Sequence, residues 1–419
     1  MVASTFLVLL LIGLPISLVL AISALSYIFV SGQTVLLHSY SQQLFSGMES
    51  YGLLAVPLFM LAGELMNEGG ITRRLVDFAG VFMGRVRGGL AYINLIVNMM
   101  MASIIGSAAA QIAIMSRVMV PEMEKQGYDK SLAAATTAAG GLLSPIIPPS
   151  MLFVIYGVLA QIAIGDMFIA GIIPGIMMAF GFFVALAVIG YFKELPVLKV
   201  QTKAEKINSL KLGLPTLVIP LVIVGGIIAG FATPTESAAI ASVAAFCLGA
   251  FLYRELKFSR LPDVLFRTAI NTSIVAFIVA TAKVFGWIII YEQVPQTLAA
   301  YLATLTQNPF VFLLLVNIVL LFVGMILDGI AALILVVPIL LPIAQAQYGI
   351  DPYHFGVIVC INLVLGLLTP PVGAGLFITT AMTGVRPGDL FRSLMPFLLT
   401  TVIVLILLSW QPWLVTAFI

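Results

Sequence analysis

The chain has 419 residues, 62% of them hydrophobic and 9% charged, with a mean hydropathy of +1.18 and a net charge of +2. A soluble domain averages about 25% charged residues, so this composition excludes one and points to a protein that lives in lipid. Dispersed charge excludes a nucleic-acid surface, and the lack of polar/apolar alternation excludes a β-barrel. Two cysteines and two widely separated histidines exclude a disulfide framework and a transition-metal site.

The first apolar run, Phe6–Val30, exceeds the roughly 18–20 residues that cross a bilayer. No positive n-region precedes it and it is too long for a signal-peptide core, so it reads as the first span. Comparable runs are Leu212–Phe231 and Leu394–Phe418. The Lys and Arg residues gather in five clusters: Arg73 to Arg87, Arg117 to Lys130, Lys193 to Lys211, Arg254 to Arg267, and Arg386 with Arg392. The positive-inside rule puts all five in the cytoplasm, and the connections near 31–50, 163–166, 292–308 and 348–353, which carry no Lys or Arg, outside. Segment 89–116 is basic at both ends, so it enters from the cytoplasm, turns near Ser103–Ser107 and returns. Segment 309–348 has no basic residue at either end, so it enters from outside and turns near Gly324–Gly329. Unwound backbone at that depth is tolerated only inside protein or beside a wet cavity.

The two halves repeat each other. Gly141-Leu142-Leu143-Ser144-Pro145 recurs as Gly366-Leu367-Leu368-Thr369-Pro370, each inside an apolar segment where Pro and Gly interrupt a helix and free its carbonyls. Gly106-Ser107 aligns with Asp328-Gly329, Gly127-Tyr128-Asp129 with Gly349-Ile350-Asp351, and Gly13-Leu14-Pro15 with Ala232-Thr233-Pro234. Opposite entry of the two hairpins makes the repeat inverted. The expected fold is an all-α polytopic membrane protein with about nine transmembrane spans, two re-entrant helical hairpins (89–116 and 309–348) and two broken helices (129–163 and 353–384). Repeats 1–192 and 212–419 flank the basic loop 193–211. The N-terminus is expected in the cytoplasm and the C-terminus outside, with amphipathic Thr72–Arg87 along the inner surface. Interrupted apolar segments at matching positions in two halves point to a transporter's binding site.

These motifs, with Ala232-Thr233-Pro234-Thr235-Glu236-Ser237-Ala238 and Pro57-Leu58-Phe59-Met60-Leu61-Ala62-Gly63, resemble the large membrane subunit of a TRAP (tripartite ATP-independent periplasmic) transporter over essentially the whole chain, nearest to the sialic-acid branch. The resemblance implies a sodium-coupled secondary importer of a small organic acid, sialic acid or a C4-dicarboxylate-like carboxylate. It implies an elevator mechanism, no cofactor beyond coupling sodium ions, and the bacterial inner membrane as location. Two partners follow from it: a small four-helix membrane subunit, expected as a separate chain, and a periplasmic substrate-binding protein.

Sodium wants oxygen ligands, which unwound backbone supplies, while half-helix N-termini favour an anion. One sodium site is expected at the first tip (Ser103, Gly106) and the first break (Ser144, Pro145, Pro148, Pro149). The other is expected at the second tip (Gly324, Asp328) and the second break (Gly366, Thr369, Val372). The substrate carboxylate is expected between the tips, at Ser107, Ser150 and Gly329, with Ser144 and Thr369 offering hydroxyls.

Charges inside the membrane are costly and often functional. Asp328 reads either as a sodium ligand or as the N-cap of the half-helix starting at Gly329. Glu236 reads as a helix cap after Pro234. Lys283, the one basic residue outside the clusters, reads either as a buried partner of Glu64 across the repeat axis or as a substrate-carboxylate contact. Cys247 and Cys360 read as small buried hydrophobes. His38, Glu49, Asp166, Glu292, Asp351 and His354 are expected to be exposed on an acidic outer face that docks the binding protein. No phosphate loop or credible catalytic set exists, so an enzyme is not expected. The rivals are a stand-alone symporter and an ion channel; a channel's pore needs rings of like residues that an asymmetric single chain does not offer.

Overall fold

Proline and glycine decide where the helices of this chain stop. The computed structural model describes residues 2–82, 86–197 and 203–419. Arg85 and Lys199 of the basic clusters, and the side chain of Ser103, lie outside the described residues.

The first half runs through α1 (Val2–Leu11), α2 (Ile16–Val30), α3 (Leu36–Met48), α4 (Ala55–Glu68) and α5 (Ile71–Phe82). A hairpin follows, α6 (Gly89–Ile105) and α7 (Ala108–Lys125). Then comes a helix broken into α8 (Lys130–Gly141) and α9 (Met151–Ala160), and finally α10 (Ile164–Ala170) and α11 (Ile172–Phe192). The second half repeats this order. It has α12 (Ala204–Ile228), α13 (Pro234–Leu252), α14 (Leu261–Tyr291) and α15 (Val294–Leu305). Its hairpin is α16 (Pro309–Ile326) and α17 (Gly329–Tyr348), its broken helix α18 (Pro352–Leu367) and α19 (Ala374–Thr383), and its last long helix α20 (Pro387–Trp410). The turns between these helix pairs fall at Gly106-Ser107 and Leu327-Asp328, and the two interruptions at residues 142–150 and 368–373, while α7 runs on past residue 116 to Lys125.

Seven helices among the described residues are long and apolar enough to cross a membrane, and eight if the pair bent by 49° between Met48 and Tyr51 counts as one span. The difference from nine has a physical source. Breaks cut the interrupted helices below spanning length, while α16 and α17, read above as hairpin arms, are each long enough to qualify.

The first span is also built differently. Gly13 adopts φ +85° and ends α1, and α1 packs back on α2. The ring of Phe6 lies 5.7 Å from that of Phe285, while Ala24 and Ile28 of α2 pack on Val284 and Ile288 of the same helix, α14. A straight Phe6–Val30 rod would carry Phe6 about 30 Å from Ile28, far from that level. The start of α1 therefore shares a side with Val30, which corrects the continuous first span.

Packing crosses the repeats. Each broken helix lies against both arms of its own hairpin, α8 on α6 and α7, α18 on α16 and α17. The half-helix after each break packs on the return arm of the other hairpin, α9 on α17 and α19 on α7. The approach is closest where Gly366 meets Gly324: a Cβ on Gly366 would lie 2.5 Å from the Gly324 carbonyl carbon. Backbone lies on both sides, so nothing flexible can yield. Gly366→Ala is expected to lower stability by about 2 kcal/mol or more, read as an earlier detergent-phase melting transition. Gly388→Ala, where a Cβ meets nothing within 4 Å, is expected to melt unchanged.

Candidate functional site

The two tips meet at one small cavity. Gly106 and Ser107 of the first tip and Asp328 and Gly329 of the second line it, with Pro145 of the first break and Leu367 at the end of α18. Gly106 takes φ +63° to end α6, and a Cβ there would sit 3.2 Å from the Met151 amide, so glycine alone fits turn and contact together. Three helices start at this point with side-chain caps. Ser107 accepts from the Ala110 amide at 3.5 Å, Asp328 from Ile330 at 3.3 Å, and Ser150 from Phe153 at 3.2 Å. Their first-turn amides and positive dipole ends favour an anion nearby. The cavity volume is about 50 Å³, room for a water-sized occupant and far below a ligand pocket of several hundred Å³.

The breaks differ in surroundings. Ser144 is fully buried and its Oγ has no hydrogen-bond partner, while Ser150 Oγ donates to the Pro145 carbonyl at 2.5 Å. Pro148 and Pro149 are buried, Pro149 next to Gly106. In the second break Pro370, Pro371 and Val372 are exposed, and Thr369 Oγ1 donates to the Leu365 carbonyl at 2.8 Å. Gly373 closes that break by donating its amide to the Met325 carbonyl at 2.9 Å. Each break contains one cis Pro–Pro bond, Pro148–Pro149 and Pro370–Pro371.

Of the residues singled out in the sequence, Gly106, Ser107, Pro145, Asp328 and Gly329 line the shared cavity. Ser144, Pro149 and Ser150 form the sealed break beside it. Gly324 and Gly366 serve as the backbone contact between α16 and α18. Pro148 faces a separate small apolar gap beside Ile169 and Ile223, and Val372 is 43% exposed.

Lys283 is not brought to the tips; it lines a larger cleft. Nor does it pair with Glu64, which meets Arg267 Nε at 3.3 Å while Glu68 meets the same guanidinium at 3.0 Å. Arg267 stands sixteen residues before Lys283 on α14, about 24 Å at 1.5 Å per residue, so α4 selects the arginine at its own level. The cap readings hold. Asp328 caps α17, and Glu236 forms a capping box with Thr233 in which its carboxylate accepts the Thr233 amide at 2.8 Å. His354 is not on the outer face: it is 2% exposed, its ring nitrogen 2.8 Å from the Leu408 carbonyl. Cys360 is buried, but Cys247 is exposed.

Sequence reading missed a set of buried amides. Asn94 of α6 donates to Thr137 Oγ1 of α8 at 2.7 Å; at matching repeat positions, Asn362 of α18 donates to Asn317 Oδ1 of α16 at 2.9 Å. Asn98 donates to Asn94 Oδ1 and Gln111 to Asn98 Oδ1, both at 2.8 Å, so the first relay spans α7, α6 and α8. Asn317 passes the second relay to Ser409 of α20 at 3.0 Å. Each relay fastens a hairpin to its own broken helix.

Repeated hairpins, crossed half-helices and caps aimed at a common point define a polytopic membrane carrier. The same fold occurs in the Alcanivorax borkumensis YdaH transporter (TM-score 0.67, 14% identity, covering 91% of this chain and 89% of that one), a likeness of fold alone. Residues 3–414 match the Tripartite ATP-independent periplasmic transporter, DctM component, and the chain belongs to that family. It is 38% identical to the sialic acid TRAP transporter large permease protein SiaM of Vibrio cholerae (98% of this chain, 96% of that protein). It is 36% identical to the C4-dicarboxylate TRAP transporter large permease protein DctM of Pseudomonas aeruginosa (93% and 90%). The chain is a transporter permease and not an enzyme.

The relays yield a stability test. Asn317→Leu removes the Oδ1 acceptor of Asn362, whose amide keeps only the Asn317 backbone carbonyl at 2.9 Å, and the donor to Ser409, and is expected to cost about 1 kcal/mol. Asn317→Leu/Asn362→Leu together should recover part of that loss, as a double-mutant cycle of melting transitions would show.

Proposed function

We propose that the chain is the large permease of a sodium-coupled TRAP system of a bacterial inner membrane, importing a small organic acid by an elevator movement. The observation that carries the reading is the convergence of the two tips, the first break and the end of α18 on one cavity, with the first break sealed and the second open. The hairpins and broken helices, bound internally by the amide relays, form the moving body. α2, α3, α4, α13 and α14 form the fixed frame, held together by the Arg267 ion pairs and by Arg74, which bonds Glu255 at 2.8 Å with its guanidinium 3.9 Å above the Tyr253 ring. A small membrane subunit supports the frame, and a periplasmic binding protein delivers the substrate to the outer face. Sialic acid or a C4-dicarboxylate is the substrate class, after the relatives' names.

One sodium ion belongs at each tip-and-break pair. At the first, the unpartnered Ser144 Oγ and the carbonyls from Ser144 to Pro149 supply oxygens, with Gly106 beside them. At the second, the oxygens come from Asp328, Thr369 and the Gly366–Val372 backbone. Sodium draws each tip onto its break and completes the cradle for the carboxylate at Ser107, Ser150 and Gly329, which couples ion to substrate. At about 50 Å³ the cradle is shut. In proteoliposomes holding both membrane subunits with the binding protein outside, uptake is expected to need an inward sodium gradient. Ser144→Ala and Asp328→Asn should each raise the half-saturating sodium concentration about tenfold, for one lost ligand of about 1.4 kcal/mol. Unchanged sodium dependence in both variants refutes these sites.

The back-folded α1 supports a different orientation for the first residues than the sequence suggests: if the 31–50 connection is outside by the positive-inside rule, the start of α1 is outside as well, and the α1–α2 turn faces the cytoplasm. In a background without Cys247 and Cys360, Ile12→Cys should react with an impermeant maleimide from the cytoplasmic side only; reaction from the outside would invert this topology.

A further inference from the structure

A cleft of about 1410 Å³ separates the frame from the hairpin body. Its walls are the end of α3 and the loop to Leu54, the end of α9, the start of α13, the outer half of α14, and Val337 to Pro342 of α17. These include the connections near 43–52 and 160–165 that carry no Lys or Arg, so the cleft opens outward. Among its described lining residues Lys283 is the one basic side chain. It stands eight residues before the end of α14 at Tyr291, about 12 Å below it at 1.5 Å per residue. α3 packs flush on its stem, since a Cβ on Gly47 would lie 3.0 Å from the Lys283 Cβ.

A charge at that depth is costly unless something pairs with it. Its expected partner Glu64 is taken by Arg267. The cleft holds two carboxylates, Glu49 and Glu236. Glu236 is folded back into its own capping box, and neither forms an ion pair with Lys283. Lys283 thus has no anionic partner among the described residues. Around it Gln43, Ser46 and Ser50 offer hydrogen bonds and Trp287, one turn on, an apolar face. This is the lining an organic anion needs: one fixed cation, neutral polar groups and a flat apolar wall.

We propose that Lys283 is the anion-recognising group of an outer vestibule on the fixed frame, a way-station where the substrate's carboxylate rests before the tips receive it. The site is separate from the tip cradle, holds its anion without sodium and does not travel with the moving body. The proposal rests on the reading that the chain imports an organic anion. Binding energy gathered here raises the local substrate concentration at a cradle too small to capture it directly.

The test uses the complex of both membrane subunits in proteoliposomes, with Cys247→Ala and Cys360→Ala in the large chain and Ser46→Cys as reporter. The thiol is modified from outside with 2-sulfonatoethyl methanethiosulfonate, an organic anion, or with its trimethylammonium counterpart, each rate normalised to a free thiol. The anionic reagent is expected to be preferred, the preference falling about tenfold in Lys283→Gln and surviving in Lys283→Arg. Excess N-acetylneuraminate or succinate, without sodium, should slow the reaction with Lys283 or Arg at that position and not with Gln. A preference indifferent to Lys283→Gln, a reporter unreactive from outside, or no slowing by either acid overturns the vestibule. The reagents need neither sodium nor the cradle, so failure of the Ser144 and Asp328 sodium experiment leaves this result standing, and the reverse holds equally.

Discussion

Every break in a helix within lipid exposes backbone groups that water cannot satisfy, and the architecture of this chain answers that constraint. In the first break the Ser144, Ile146 and Ile147 amides turn back to carbonyls at Gly141 and Leu143, and the Ser150 hydroxyl takes up the Pro145 carbonyl. In the second, the Gly373 amide reaches across to Met325 of the hairpin. The first set closes within the break itself, whereas the second closes only with the hairpin arm alongside, where Gly324 and Gly366 stand in backbone contact. The unused capacity is equally specific: Ser144 Oγ is left open beside the tips.

The buried amides follow from the same demand. In a bilayer, helices gain little from the hydrophobic effect against one another, so polar side chains that find each other set which faces meet. Asn94 with Thr137, and Asn317 with Asn362, hold hairpin and broken helix in register at equivalent places in both halves. Such bonds fix each hairpin on its own broken helix. The remaining helices are held differently, by charges, where Arg267 spans Glu64 and Glu68 and Arg74 joins Glu255. The bonds on either side of the wide cleft are thus polar and short-ranged, and on the elevator reading proposed above the cleft would leave a path for relative movement.

Much of this was legible in the chain because Pro, Gly and charge act locally. The repeated Gly-Leu-Leu-Ser/Thr-Pro stretches mark both breaks, and Asp328 and Glu236 announce helix starts by their neighbours alone. What escaped depends on how helices slide past one another. Whether Glu64 meets Lys283 or Arg267 is a matter of register between α4 and α14, which no pattern along either helix encodes. The fold-back of α1 carries a signal, Gly13-Leu14-Pro15, hidden by unbroken hydropathy on both sides. Asn94 and Asn317 carry one too: amides in apolar arms, 223 residues apart, matching the spacing of the repeats.

Two copies of nearly one motif sit in unequal surroundings, and that inequality is the most informative feature of the assembled chain. Ser144 to Ser150 is walled in by its hairpin and by α9, whereas Pro370 to Val372 stands open. Sequence does not explain the contrast, since both stretches are short, apolar and proline-rich. On the elevator reading proposed above, the difference lies in where the hairpin body sits against the frame, and a body built from two such halves would have a second arrangement of comparable packing, in which the first break opens and the second seals. The crossed packing of α9 on α17 and of α19 on α7 would keep the halves together through that exchange. On the same reading the outer cleft belongs to the arrangement seen here, and Lys283, on the frame, is the part of it that stays behind.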